Sequence, residues 1–261
     1  MTSARDAQTT SDGCVRVTAV VGASGGIGGA VAELFCEQGA SVALIDVDAA
    51  RLGELVERLA DSGEASTAPL LLPIDVRLRD SCVAAVAEIL GTFGRLDALV
   101  NSAGVTHFDE ARELREDEWE DVLRVNLTGA FNMCAAAYDL LRQSAPAAVV
   151  NVGSVSGRTK SVFTSPAYVA SKAGVIGLTM SLATRWARDE IRVNCVAPGM
   201  TETAMVHAYT AEQRAALEEA IPLGRYAHPR EIASAIAFLA SPAASYITGE
   251  TLNVNGGLFM A

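Results

Sequence analysis

The sequence is poor in basic charge, aromatic residues, histidine and long apolar runs, and each shortage removes a class of function. Twenty Lys and Arg face 31 Asp and Glu, a formal net charge of -11. No basic cluster breaks that balance, so a nucleic acid or an anionic membrane surface is repelled on average. The three histidines, His107, His207 and His228, lie far apart without Cys or carboxylate at ligand spacing, and no metal site is expected. Cys14, Cys36, Cys82, Cys134 and Cys195 stand singly and in odd number, which suits reduced, buried thiols in a cytoplasmic protein. No apolar run is long enough to span a bilayer, and residues 1–13 are small and polar without the apolar core of a signal peptide. They read as a flexible tail ahead of one domain over 14–261. Aromatics make up only 5% of the 261 residues while half are hydrophobic, a composition suited to helices packed closely on a sheet.

What is present is an alternation of short β-rich runs and helical periodicity. Val15 to Val21 reads as a strand, and Gly22-Ala23-Ser24-Gly25-Gly26-Ile27-Gly28 turns it into a helix that closes at Gly39. Glycines in such a turn let the backbone approach a pyrophosphate, and the helix N-terminus favours its negative charge. A plain glycine-rich βα turn has the same pattern. The next strand, Ser41 to Asp46, ends in a carboxylate some twenty residues on. An acid there accepts hydrogen bonds from ribose hydroxyls and repels a 2′-phosphate, which favours NAD over NADP; the alternative, a helix cap, fits Asp48 better.

Strands at 70–74 and 96–100 and helices at 49–60 and 79–90 continue the βα period, which predicts a parallel sheet with helices on both faces. Polar residues fall at strand ends, where such sheets bind ligands: Asp75-Val76, suited to an adenine, and Asn101-Ser102-Ala103-Gly104, whose small pair leaves room for a cofactor. One long helix is expected from Asp117 to about Arg142, with Trp119, Val122, Leu123, Leu127, Ala130 and Phe131 turned inward and Asn126 in their stripe. A strand at 147–152 runs into Gly153-Ser154, and another at 191–196 is broken by Pro198-Gly199. The stretch from Met200 to about Ala220 reads as a lid over a cleft. Helix 230–240, strand 250–254 and the apolar end Leu258 to Ala261 complete the chain, the last expected to meet another subunit.

In Tyr168-Val169-Ala170-Ser171-Lys172 a helical spacing puts phenol and ammonium on one face, one turn apart. A cation beside a phenol favours phenolate, which would make Tyr168 an acid and base usable near neutral pH. Alone, the pair equally describes a core tyrosine and a snorkelling lysine.

Taken in order, Gly22-x-x-x-Gly26-x-Gly28, Asp75-Val76, Asn101 to Gly104, Asn126, Ser154, Tyr168-x-x-x-Lys172, Asn194 and Pro198-Gly199 with Thr203 resemble the short-chain dehydrogenase/reductase family. The resemblance covers nearly everything from Val15 onward. It implies a Rossmann-like doubly wound sheet, with NAD bound by Gly22, Ser24, Gly26, Ile27, Gly28, Asp46, Asp75, Val76, Asn101, Ala103, Gly104, Tyr168, Lys172, Pro198, Gly199 and Thr203. It makes Tyr168 the proton donor or acceptor, with Ser154 on the substrate oxygen. Lys172 would hold the nicotinamide ribose and lower the tyrosine pKa, and Asn126 would anchor a water relay. The expected reaction interconverts a small-molecule secondary alcohol and ketone, in a homotetramer. Two further readings are a 3-oxoacyl carrier-protein reductase, whose usual NADPH does not suit Asp46 and Gly25, and a non-catalytic dinucleotide-binding regulator. Departures are Val21 where the family usually has Thr, Ser102 for a second Asn, and a Ser154 to Tyr168 interval longer by one, which leaves Ser156 as the fallback serine.

Overall fold

The computed structural model describes residues 15–61, 67–107, 111–160 and 164–260. The tail 1–13, Cys14 and Ala261 lie outside them. Seven parallel strands form one sheet: β1 (Val17–Val21), β2 (Ser41–Asp46), β3 (Leu70–Pro73), β4 (Ala98–Asn101), β5 (Ala147–Val152), β6 (Ile191–Pro198) and β7 (Thr251–Val254), in spatial order 3-2-1-4-5-6-7. β1, Val-Thr-Ala-Val-Val, is buried along its whole length, as a central strand covered on both faces must be. Successive residues of β1 enter opposite layers. Val20 joins a core with α1 (Gly26–Glu37), α2 (Ala49–Asp61) and α8 (Pro229–Ala240). Ala19 and Val21 join a core with α3 (Arg79–Phe93), α5 (Gly129–Gln143) and α6 (Pro166–Trp186). The chain leaves β1 in one direction and β4 in the other. Their carboxyl ends therefore open a crevice, the usual ligand site of a doubly wound sheet.

The expected helix at 117–142 is interrupted. α4 (Glu116–Leu123) passes into a π-helical turn at Arg124–Thr128 before α5 begins. The wider turn shifts the helical phase and carries Asn126 into the interior, 2% exposed. The inward stripe departs from expectation: Val122 and Asn126 are buried, whereas Trp119 and Phe131 lie at the surface. The end of the chain also differs from expectation. Leu258 packs on the lid cluster and the Phe259 ring lies under Arg158, 5.3 Å to the centroid, so among 258–260 only Met260 is strongly exposed.

Candidate active site

The glycine turn owes its form to two close approaches. Gly22 has φ +76, and a Cβ there would lie 2.5 Å from the Ala103 nitrogen; one on Gly28 would run into the Gly22 carbonyl. α1 starts at Gly25 with no side-chain cap and no acid in its first turn. Its N-H groups and dipole therefore face the crevice without a competing carboxylate, as a pyrophosphate requires. Gly25, Gly26, Ile27 and Gly28 line one end of a cleft of about 240 Å³ that also takes in Gly104, Pro198, Gly199 and Thr203.

A second cavity of about 430 Å³ continues past the turn along Gly22, Ser24, Asp46, Asp75, Val76, Ala103 and Gly104. Asp46 accepts from the Ser24 nitrogen at 3.0 Å and the Asp48 nitrogen at 3.1 Å, while Asp48 caps α2 through the nitrogens of Ala50 and Arg51. A carboxylate offers more acceptor positions than those two bonds consume, so Asp46 retains capacity for hydroxyls. Asp75 is more fully engaged. Arg77 reaches both its oxygens at 2.8–3.0 Å, holds its carboxyl below the ordinary range, and bridges on to Asp121 at 2.7 Å. Asp75 is thus an acid already held by a guanidinium before any ligand arrives. Asn101 departs from the cofactor role expected of it: its Nδ2 donates to Asn151 Oδ1 at 2.9 Å across β4 and β5, and it lines neither cavity. Asn101 stands in register with Asn151 on β5, which brings the two amides together.

At the other end of the 240 Å³ cleft stand Ser154, Tyr168 and Lys172. Ser165 caps α6 by accepting from the Tyr168 nitrogen, and Pro166 suits the first turn, so the tyrosine is fixed at a helix start. Ser154 stands two residues beyond β5, accepts from the Ser156 nitrogen at 3.1 Å and hydrogen-bonds the Tyr168 phenol, which favours Ser154 over Ser156 as the serine paired with it. Lys172 is 4% exposed, donates to the Val152 carbonyl at 2.8 Å, and lies 5.7 Å from the Tyr168 ring centroid.

The electrostatics reverse the expected sign at tyrosine. Burial of the phenol, 9% exposed, pushes Tyr168 up, with the Ser154 hydrogen bond pulling the other way. Burial also lowers Lys172, to about 8. The lysine, desolvated and turned onto Val152, does not by itself deliver a phenolate.

Asn126 is held on three sides: its Oδ1 accepts from the Val105 nitrogen at 2.8 Å, and its Nδ2 donates to the Val105 carbonyl and to Ser171 Oγ at 3.0 Å each. Its side chain thus pins the 105 loop to α6. Ser171 had no role from the sequence, although it stands inside Tyr168 to Lys172 and one helical turn beyond the tyrosine. Tyr209, Met205 and Val206 line the cleft from the stretch read in the sequence as a lid, although none of the three had a role assigned there.

A doubly wound sheet with an uncapped glycine turn and a Ser–Tyr–Lys cluster in one crevice is the architecture of a nicotinamide-dinucleotide oxidoreductase. A family model described as enoyl-(acyl carrier protein) reductase matches residues 22–259. A 3-oxoacyl-(acyl-carrier-protein) reductase of Vibrio cholerae is 42% identical over 245 residues, 94% of this chain and 98% of that one. Two crystal structures of 3-oxoacyl-(acyl-carrier protein) reductases from Brucella melitensis, one with bound NAD, superpose with TM-scores of 0.89 and 0.87. Both are 33% identical, over 100% of this chain and 97% of theirs. The chain belongs to the short-chain dehydrogenase/reductase family. It is an oxidoreductase acting on CH-OH and keto groups, and it binds a nicotinamide dinucleotide.

Proposed function

We propose that this protein interconverts a small-molecule secondary alcohol and a ketone with NAD, using Tyr168 as general acid and base. The observation that carries the reading is the meeting of Ser154, Tyr168 and Lys172 in the cleft whose other end is the glycine turn. When bound, the dinucleotide supplies or accepts hydride at its nicotinamide. Ser154 and Tyr168 hydrogen-bond the substrate oxygen, and the Tyr168 proton passes to it as negative charge develops there. Because burial keeps the phenol protonated, the chain is poised as an acid for reduction. Lys172, buried beside the ring, holds the ribose of the nicotinamide. Gly22, Ser24, Gly26, Ile27 and Gly28 carry the pyrophosphate. Asp46 takes the adenosine ribose, and Asp75, Val76, Ala103 and Gly104 border the adenine side. Pro198, Gly199 and Thr203 flank the nicotinamide.

NAD is preferred because Asp46, with spare acceptor capacity, receives ribose hydroxyls and repels a phosphate. Titration of NADH against NADPH by nicotinamide fluorescence should show tighter NADH binding, and Asp46→Ala should narrow the gap about tenfold; equal affinities for the unaltered chain would remove the assignment. A second reading, reduction of a 3-oxoacyl thioester on a carrier protein, is favoured by relatives named for that activity. Activity on an acetoacetyl thioester far above that on a panel of simple secondary alcohols would select it. We further propose a cytoplasmic homotetramer, supported by Trp119, Phe131 and Met180 left at the surface of α4, α5 and α6; light scattering giving a monomer mass would refute it.

A further inference from the structure

The lid adds a second phenol to the cleft. Tyr209 follows the 3-10 turn Ala204–Ala208 and lines the same cavity as Ser154, Tyr168 and Lys172. Its ring packs on the lid's own apolar cluster of Val206, Ile221 and Tyr226. That cluster is tied to the sheet end: the Glu202 nitrogen donates to the Ala227 carbonyl, the Ala227 nitrogen to the Met200 carbonyl, and the Leu223 nitrogen to the Gly256 carbonyl. The ring is therefore anchored before any substrate arrives.

Burial pushes the Tyr209 phenol up to about 12, and Tyr168 is the next influence on it. The two phenols share one electrostatic neighbourhood, and Tyr209 keeps its proton at neutral pH. Around it the lid wall is apolar, made by Met200, Met205 and Val206. Ser154 and Tyr168 account for one substrate oxygen. Tyr209 brings a third hydroxyl-bearing side chain to the lining of that cleft, from a separate element and beside thioethers and methyls. An oxygen there gains a hydrogen bond that a methylene in the same place does not.

We propose that Tyr209 is a substrate-contacting, specificity-determining residue whose hydroxyl hydrogen-bonds a second carbonyl oxygen of the substrate, so that the cleft selects ketones carrying that carbonyl near the reacting one over analogues with a methylene in its place. The inference rests on the carbonyl-reductase reading above. Ethyl acetoacetate and 4-ethoxy-2-butanone form a matched pair, differing only by the ester carbonyl. The ratio of their kcat/KM values with NADH should fall about tenfold in Tyr209→Phe, the loss of one hydrogen bond, which keeps the anchored ring. Tyr226→Phe, altered in the lid but outside the cleft, should keep the ratio of the unaltered protein.

An unchanged ratio in Tyr209→Phe, or the same fall in both variants, overturns the assignment. So does reduction of 4-ethoxy-2-butanone without reduction of ethyl acetoacetate by the unaltered protein, and so does failure to reduce either while NADH is bound. Tyr168→Phe run alongside separates the two levels. If it still reduces either probe, the role given to Tyr168 fails; if it is inactive while the Tyr209→Phe ratio stays put, only the inference about Tyr209 fails.

Discussion

Tyr168 and Tyr209 face one cleft from two kinds of scaffold. Tyr168 stands at the capped start of α6, 21 residues long, which packs against β6 and the π-helical turn, and its neighbours Ser154 and Lys172 are 7% and 4% exposed. Tyr209 stands on a connection whose helix α7 (Ala211–Glu219) buries none of its residues and whose core is Val206, Ile221 and Tyr226. The platform has deep burial and few alternatives. The lid has a small core and a handful of backbone ties, the profile of a segment that opens at low cost. Proton transfer needs a fixed geometry, whereas substrate entry needs a wall that moves; the molecule has put the two phenols on elements of matching stiffness.

The sharpest test of the platform is Tyr168→Phe. It should lower kcat at least about a thousandfold, the upper range for a lost general acid, while NADH affinity stays within about threefold. Turnover near the original rate would break the contrast outright. At the cofactor end, Gly28→Ala drives a methyl into the Gly22 carbonyl. With overpacking at about 3 kcal/mol, NADH affinity should drop roughly a hundredfold by fluorescence titration; a loop that absorbed the methyl without loss would be as yielding as the lid.

Lys172 provides a stability test of comparable size. Its ammonium titrates near 8 in the fold and near 10.5 when unfolded. Below pH 8 both states carry the proton and the fold bears the full cost of burying the charge. Between pH 8 and 10.5 the unfolded chain holds more protons, so stability rises with pH, by up to about 3 kcal/mol across the window. Tyr168, raised by burial, acts oppositely above its ordinary value of 10, where the unfolded chain loses the phenol proton first. The buried thiols Cys82, Cys134 and Cys195, also pushed up by burial, lower stability above their ordinary value of 9 in any variant, so the test is a difference. Between pH 8 and pH 10, urea denaturation without cofactor should change more favourably for the unaltered protein than for Lys172→Met; parallel behaviour of the two proteins would show that the lysine is not buried as a charge. The smallest effect belongs to the lid. Tyr226→Phe removes the bond from its hydroxyl to the Arg214 carbonyl, 3.2 Å, worth about 1 kcal/mol. It should speed proteolysis within 200–220 and shift KM no more than about threefold. A large fall in kcat would mean that the lid is part of the rigid platform after all.

The platform was far more legible than the lid. Every strand was placed to within a few residues because strands buried on both faces must be apolar and β-branched, and glycine turns mark their ends. The glycine turn was legible from its own pattern, and its grouping with Ser154, Tyr168 and Lys172 came from the resemblance to a family. What misled was stripe width and desolvation. An inward stripe drawn too wide put Trp119 and Phe131 inside when they lie on the surface. A lysine one turn from a tyrosine promised a lowered pKa that burial of both groups reverses.

The sequence by itself determined the alternation of strands and helices and hence a parallel sheet, because those follow from local periodicity, while the candidate catalytic side chains came from the resemblance to a family. Only the tertiary structure decided that Ser154 pairs with Tyr168, that Asn101 turns onto Asn151, that Arg77 already holds Asp75, and that Tyr209 joins the cleft from the lid. Each of these depends on which residues far apart in the chain are packed together and cut off from water, and neither distance nor desolvation is written in a linear pattern.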